Sequence, residues 1–246
     1  MNRLHYCLVS LFAVVTLFAC SNDPEVTPPT IPLGSTDVKI WAGKDTSISI
    51  NDTAVSAITL NSSNTDVATI KLEGRKIQIH AVKEGVTTVL LNAPGNRQGA
   101  LTVRIIGIGG GTGWRRVDRN DKFPLVISVQ AADAAFAEKL KTQLADEILG
   151  KVTDGPAALI FTGTDSGTFV EGRGSKMIRE GNYTFRNLTL TLNPGATQEL
   201  YTLVPQNLTT FKMVRDRTEE FKAANPDKGI ELVKVETYWG KINTPG

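Results

Sequence analysis

Seven short runs between Val38 and Ile106 alternate apolar, often β-branched residues with polar ones: VKIW, SISI, AITL, VATI, KIQIH, VTTVLL and LTVRII. Asn, Asp, Gly and Ser interrupt these runs every eight to twelve residues. A strand sends successive side chains to opposite faces, so a two-residue period demands a sheet with one buried face. The stretch shows no three-to-four-residue helical period. Runs at this spacing over about 70 residues predict an all-β sandwich for residues 35–106.

The pattern changes after residue 113. FPLVISV reads as a strand, and AADAAFAEKLKTQLADEILGK as one amphipathic helix. Asp133 stands at its N-cap, Phe136, Leu140, Leu144 and Ile148 recur at i+4 spacing, and Gly150 ends it. Strand runs follow: ALIFTG, GTFVEG, KMIRE, NYTFRNLTLTL, QELYTLV and TTFKMV. Leu188, Leu190 and Leu192 alternate strictly and predict one buried face. RDRTEEFKAANPDKG suggests a short helix that stops before Pro226, and IELVKVETYW a final strand. This order predicts an α+β domain over residues 114–246, a curved antiparallel sheet or partial barrel with one main helix.

Between the two segments lies GIGGGTG, with five glycines from Gly107 to Gly113. A dinucleotide loop needs Gly-x-Gly-x-x-Gly between a strand and a helix. Counting from Gly107, the third glycine falls on Thr112; counting from Gly109, it falls on Trp114. A P-loop needs Gly-Lys-Ser/Thr at its end, and Trp114 follows Gly113. Glycine's other use is to give the chain freedom. Residues 107–113 therefore predict an interdomain hinge, with proteolytic cleavage at Arg115 or Arg116, or else in the proline-rich segment near the N-terminus.

The N-terminus has a different character. Arg3 precedes an apolar run from Leu8 to Ala19, which is too short to span a bilayer and has the length of a signal-peptide core. It ends in LFAC, which resembles the lipobox of bacterial lipoproteins. The resemblance implies removal of residues 1–19 and lipidation of Cys20, which would make the membrane a partner. Acyl chains supply roughly 0.8 kcal/mol per buried methylene, so more than one is needed for stable anchoring. Cys7 would leave with the signal, so no internal disulfide is possible and the fold must rest on its core. Residues 20–34 contain four prolines and read as a semi-rigid tether. The expected location is the cell envelope, lipid-anchored in the outer membrane and exposed at the surface.

Two further stretches carry family resemblances. SAITLNSSNTDVATI, then GRKIQIHAVKEGVTTVLLNA and the closing GALTVRI, resemble a bacterial immunoglobulin-like (BIG) domain. ALIFTGTDSGTFVEG behind a helix, REGNYTFRNLTLTL, and DRTEEFKAANPDKGIELVKV are similar to the lipocalin-like lipoprotein domains of Bacteroidetes. The first resemblance implies an immunoglobulin-like sandwich over residues 35–106 that serves presentation or adhesion, and the second a binding module. Asp52 to Ala54 resembles the Bacteroidetes O-glycosylation sequon, although a turn that needs Asp explains it equally.

Charge and motifs exclude more than they assign. Lys plus Arg number 27 against 25 Asp plus Glu, which is not the basic footprint of a nucleic-acid binder. His80 is the only histidine beyond the signal and reads as a strand-surface residue, so no metal site or cofactor is expected. No Gly-x-Ser-x-Gly occurs. Asp146-Glu147 and Glu219-Glu220 are adjacent on helices and point about 100° apart, a poor geometry for shared acid–base work. The expectation is a non-catalytic binding or presentation role for residues 114–246, toward a glycan, a host protein or a small apolar ligand. Trp114, Tyr201, Tyr238 and Trp239 are its candidate contacts, because aromatic residues with a polar tip serve as interface anchors. Tyr238 and Trp239 should face opposite sides of their strand. The alternatives are a hydrolase or hydrolase accessory in the second segment, and a purely structural envelope spacer.

Overall fold

A computed structural model of the chain describes residues 28–52, 57–117, 119–120, 122–150 and 155–242. The signal peptide, Cys20 and residues 20–27 of the tether lie outside the described residues, as do Thr53 and Ala54.

Seven strands precede the glycine-rich segment: β1 (Asp37–Trp41), β2 (Asp45–Ser49), β3 (Thr59–Ser62), β4 (Ala68–Glu73), β5 (Lys76–Ala81), β6 (Gly85–Ala93) and β7 (Arg97–Ile106). They form a four-stranded sheet in the order β1-β7-β6-β3 and a three-stranded sheet in the order β2-β5-β4. β1 runs parallel to β7, and the other pairs are antiparallel. Alternation sets the faces: Ile77, Ile79 and Ala81 of β5 are buried, and so are Leu101, Val103 and Ile105 of β7. Asp52 is buried and paired with Arg97.

The remaining elements are β8 (Gly113–Arg116), β9 (Arg119–Asn120), β10 (Phe123–Pro124), β11 (Val126–Ala131), α1 (Ala134–Leu149), β12 (Ala157–Thr162), β13 (Ser166–Arg173), β14 (Lys176–Arg186), β15 (Thr189–Asn193), β16 (Glu199–Asn207), β17 (Thr210–Asp216), α2 (Thr218–Ala224) and β18 (Ile230–Lys241). From β12 to β18 each strand pairs with the next, all antiparallel. β8 closes the circle. It pairs with β12 on one side, Trp114 opposite Leu159, and with β18 on the other, Arg116 opposite Trp239. The result is a closed eight-stranded barrel, with β11 added outside it along β18.

This corrects the expected fold class. An immunoglobulin-like sandwich followed by an α+β domain is not what forms; the chain is mostly β, with two helices among the described residues. The expected open sheet closes because four residues, GWRR, act as a strand. The N-terminal sheets do not enclose a core of their own either. Their apolar residues and those of the barrel belong to one continuous cluster running from Ile31 to Trp239.

The main helix keeps its expected ends. Asp133 accepts from the Phe136 N–H at 2.9 Å, and Gly150 caps the C-terminus at φ 60°. Ala137, Leu140 and Leu144 bury its inner face against Val129, Val233 and Val235. Each leucine buried this way contributes roughly 1.5–3 kcal/mol. That packing lays α1 along β11 and β18 and brings its last turn to one end of the barrel.

Candidate functional site

The barrel's inward face changes character along its length. In β13 the inward positions read Phe169, Glu171, Arg173; in β14, from the opposite end, Arg179, Gly181, Tyr183, Phe185. β16 gives Glu199, Tyr201, Leu203, and β17 gives Phe211, Met213, Arg215. β8 gives Trp114 and Arg116. The strands are antiparallel, so these sequences stack aromatics at one end and charges at the other.

The aromatic end is filled. Trp114 is fully buried, with its ring 4.8 Å from Phe211 and 5.8 Å from Trp41 of β1. Trp41 Nε1 donates to the Asn207 carbonyl at 2.8 Å and Trp114 Nε1 to the Ile108 carbonyl at 2.9 Å. Phe161 and Tyr183 meet at 4.8 Å, and the Tyr183 hydroxyl donates to the Thr164 carbonyl at 3.0 Å.

The glycine-rich segment belongs to this end, and it is packed. Ile108 is fully buried, the Gly110 N–H donates to the Gly163 carbonyl at 2.5 Å and the Gly111 N–H to the Phe161 carbonyl at 3.0 Å. A Cβ on Gly109 would lie 2.2 Å from the Gly163 carbonyl oxygen, and one on Gly107 would lie 2.5 Å from Glu84 Oε2. These glycines allow close approach rather than free rotation. The Gly109 N–H donates to the Glu84 carboxylate, whose pKa is nonetheless raised, chiefly by burial and secondarily by Asp165. Glu84 Oε2 is buried without a hydrogen-bond partner among the described residues.

The charged end is open. It holds a cavity of about 300 Å³, at the small end of the usual range for ligand sites. Tyr201, Met213 and Trp239 form its apolar wall, and arginines and glutamates the rest. Arg179 donates from Nε to Glu171 and from Nη1 to Glu199, both at 2.6 Å. Glu199 also accepts from Arg215 Nη1 at 2.9 Å and from the Tyr201 hydroxyl at 2.7 Å. Arg217 reaches Glu147 of α1 at 3.2 Å and Glu220 of α2 at 2.5 Å. Arg116 and Arg173 both donate to the Ile148 carbonyl oxygen in the last turn of α1. The sign of that interaction is favourable, because the C-terminal end of a helix carries partial negative charge.

Electrostatics match the geometry. Burial alone would raise the Glu199 pKa, but Arg179, the Tyr201 hydroxyl and Arg215 outweigh it and hold it below the usual value. Burial opposes the charge on Arg179, and Glu171, Tyr201 and Glu199 reverse that effect. The Tyr201 hydroxyl is pushed up to about 12, first by burial and then by Glu199.

The four aromatic candidates are divided by this arrangement. Tyr201 and Trp239 line the cavity. Trp114 lies at the filled end, where it packs against other rings and is sealed from solvent. Tyr238 faces the outside of β18, opposite to Trp239, and lies 5.2 Å from the Phe123 ring. The charged residues Arg116, Glu171, Arg173, Arg179, Glu199 and Arg215 were not singled out from the sequence. Their signal was present: each shares the two-residue phase of a buried aromatic or leucine on its own strand.

His80 is exposed and paired with Asp45 at 2.7 Å on the N-terminal sheets, far in sequence from the mouth. Among the described residues no group of three or more His, Cys, Asp or Glu stands together as a metal site, and no helix is long and apolar enough to cross a membrane. No family model matches the chain, and no curated protein matches it either.

Proposed function

We propose that this is a lipid-anchored envelope protein whose barrel binds a small ligand, without catalysis, at its charged mouth. One observation carries the reading: a closed barrel filled at one end keeps at the other a cavity lined by Tyr201, Trp239 and paired charges. A closed eight-stranded barrel suits lipocalin-like binding, which agrees with the resemblance of residues 114–246 to lipocalin-like lipoproteins. The N-terminal sheets, with their BIG-like sequence, serve as the stalk above the Cys20 anchor.

The hydrolase alternative has less support. A glycosidase needs one carboxyl group held protonated near a second carboxylate. Glu171 and Glu199 share one partner, Arg179, and Glu199 is held ionised. The carboxyl with a raised pKa, Glu84, lies at the opposite end.

The test uses the tryptophans, of which the chain has three. A small-molecule and glycan screen read by intrinsic fluorescence should yield ligands that change emission in the wild type but not in Trp239→Phe. Emission changes that survive in Trp239→Phe would place binding elsewhere. The anchor is tested separately: Cys20→Ala should move the protein from the membrane fraction to the soluble one, and unchanged fractionation would refute lipidation.

A further inference from the structure

The mouth presents two kinds of surface side by side. Tyr201, Met213 and Trp239 give it an apolar wall. The polar tips of both aromatics are already bonded within the protein, the Tyr201 hydroxyl to Glu199 at 2.7 Å and the Trp239 indole N–H to Thr237 Oγ1 at 2.9 Å. What these rings offer the cavity is therefore carbon. Beside them stand charged residues in pairs, Arg179 with Glu171 and Glu199, and Arg215 with Glu199 and Glu220. Pairing leaves hydrogen-bonding capacity over. The two bonds from Arg179 to the glutamates use Nε and one N–H of Nη1, out of the five N–H groups of a guanidinium. Glu171 accepts through Oε2; its Oε1 accepts no bond among the described residues and is not sealed from solvent. One ion pair on the cavity wall thus carries both a donor and an acceptor.

Three classes of ligand meet this surface differently. A purely apolar molecule would strip water from the charged groups and return no hydrogen bonds. A charged group on this wall would compete with the pairs that build it, and parting a desolvated pair leaves each ion alone away from water. A neutral ring bearing hydroxyls conflicts with neither surface. A pyranose has C–H groups on its faces, which pack on aromatic carbon, and hydroxyls round its edge, which can donate to Glu171 and accept from Arg179. The site also extends past one ring. A second hollow of about 620 Å³ adjoins the first through Glu147, Arg173 and Ile178, and the β13–β14 turn from Gly174 to Met177 forms the rest of its wall. Met177 and Ile178 are 58% and 46% exposed there. A ligand seated in the 300 Å³ cavity therefore has an open path outward along the hairpin.

We propose that the ligand is a neutral oligosaccharide, bound by its end. Its terminal ring lies against Tyr201 and Trp239 and bonds through its hydroxyls to Glu171 and Arg179. The next sugars run out over Ile178 and Met177. This rests on the reading that the mouth is a ligand site.

A printed array of neutral and acidic oligosaccharides, probed with the full chain, gives the first reading, and its strongest signals should fall on neutral glycans. Isothermal titration then compares the best-bound neutral oligosaccharide with the methyl glycoside of its terminal sugar. The oligosaccharide should bind at least about tenfold more tightly. Glu171→Gln should weaken both ligands about tenfold, by loss of a charge-assisted bond. Met177→Ala should weaken the oligosaccharide about threefold and leave the glycoside unchanged, since only the longer ligand covers that side chain. If Glu171→Gln fails to fold, Met177→Ala on its exposed turn and the comparison of the two wild-type affinities decide the matter. Signals on acidic glycans alone, equal binding of the two ligands, or affinities that neither variant changes would each overturn the proposal. If no glycan binds while another compound from the fluorescence screen acts through Trp239, the saccharide assignment falls and the ligand-site reading stands. If neither experiment finds a ligand, both fall.

Discussion

The two ends of the barrel are made by the same strands and the same two-residue alternation, and they do opposite things. At one end the inward positions hold Trp114, Phe161, Phe169, Tyr183 and Phe211, all fully buried, and Trp41 of the N-terminal sheets completes the layer. At the other end the same faces hold arginines and glutamates around open space. The aromatic end gains from every contact, because apolar burial and ring packing both stabilise. The charged end gains little, because desolvating an ion pair offsets most of its attraction, and well-packed apolar residues would serve stability as well or better. A barrel needing only to fold would be filled along its whole length. On the proposed reading, the contrast leaves stability to one end and ligand binding to the other.

The largest expected effect lies at the aromatic end. Trp114→Ala should cost about 3–5 kcal/mol, the range for deleting a buried Trp or Phe side chain. Because the cluster runs through both parts of the chain, the N-terminal sheets and the barrel should lose stability together in urea. A separate, unshifted transition for the N-terminal strands would break the account at its joint.

Acid should separate the ends next. Glu84, near the aromatic end, has a pKa raised above the ordinary glutamate value of 4.5, chiefly by burial. The folded state then binds the proton more tightly than the unfolded one. Stability at this end is therefore fullest below about pH 4.5 and is lost as pH rises through the folded pKa. Glu199, at the mouth, is lowered from the same 4.5. Its contribution is present above 4.5 and is lost as pH falls through its folded value. Hydrogen exchange at the Trp114 and Trp239 indoles, followed from pH 7 to pH 4, should show rising protection at the first and falling protection at the second. Glu84→Gln should abolish the first trend and leave the second. Parallel trends at the two indoles would contradict the assignment.

How far this contrast was legible beforehand depends on how local each signal is. The period-two runs of residues 38–106, the Asp133 and Gly150 ends of the helix, and the buried alternation of Leu190 and Leu192 are local and readable. Barrel closure is not. It depends on GWRR pairing with Trp239–Lys241, partners more than a hundred residues away, and four residues within the charged run GWRRVDRNDK are too few to show a strand period. Without closure, Arg173 or Arg215 on a strand is indistinguishable from a solvated surface residue, and inward charges become visible only once the sheet has an inside. The glycines are ambiguous for a related reason. Freedom and close approach both call for glycine, and only the positions of Glu84 and Gly163 show which of them operates at Gly107 and Gly109.

A smaller effect follows from that packing. Limited proteolysis should leave the Gly107–Gly113 segment and Arg116 intact, because Gly107, Ile108, Gly109 and Arg116 are buried and the exposed Gly110 and Gly111 are held by backbone hydrogen bonds to Gly163 and Phe161. The longest resistant fragment should span both the N-terminal sheets and the barrel. Early cleavage into pieces of about 70 and 130 residues would restore the hinge expected from composition.

The division of labour between the ends is tested most directly by one nuclear magnetic resonance titration. Three indole N–H signals, from Trp41, Trp114 and Trp239, and the guanidinium Nε–H signals of Arg173, Arg179 and Arg215 report both ends at once. On addition of a ligand found in the fluorescence screen, shifts are expected at Trp239 and the three arginines, with Trp41 and Trp114 unmoved. Shifts centred on Trp41 and Trp114, or none at Trp239 while the ligand binds, would contradict it.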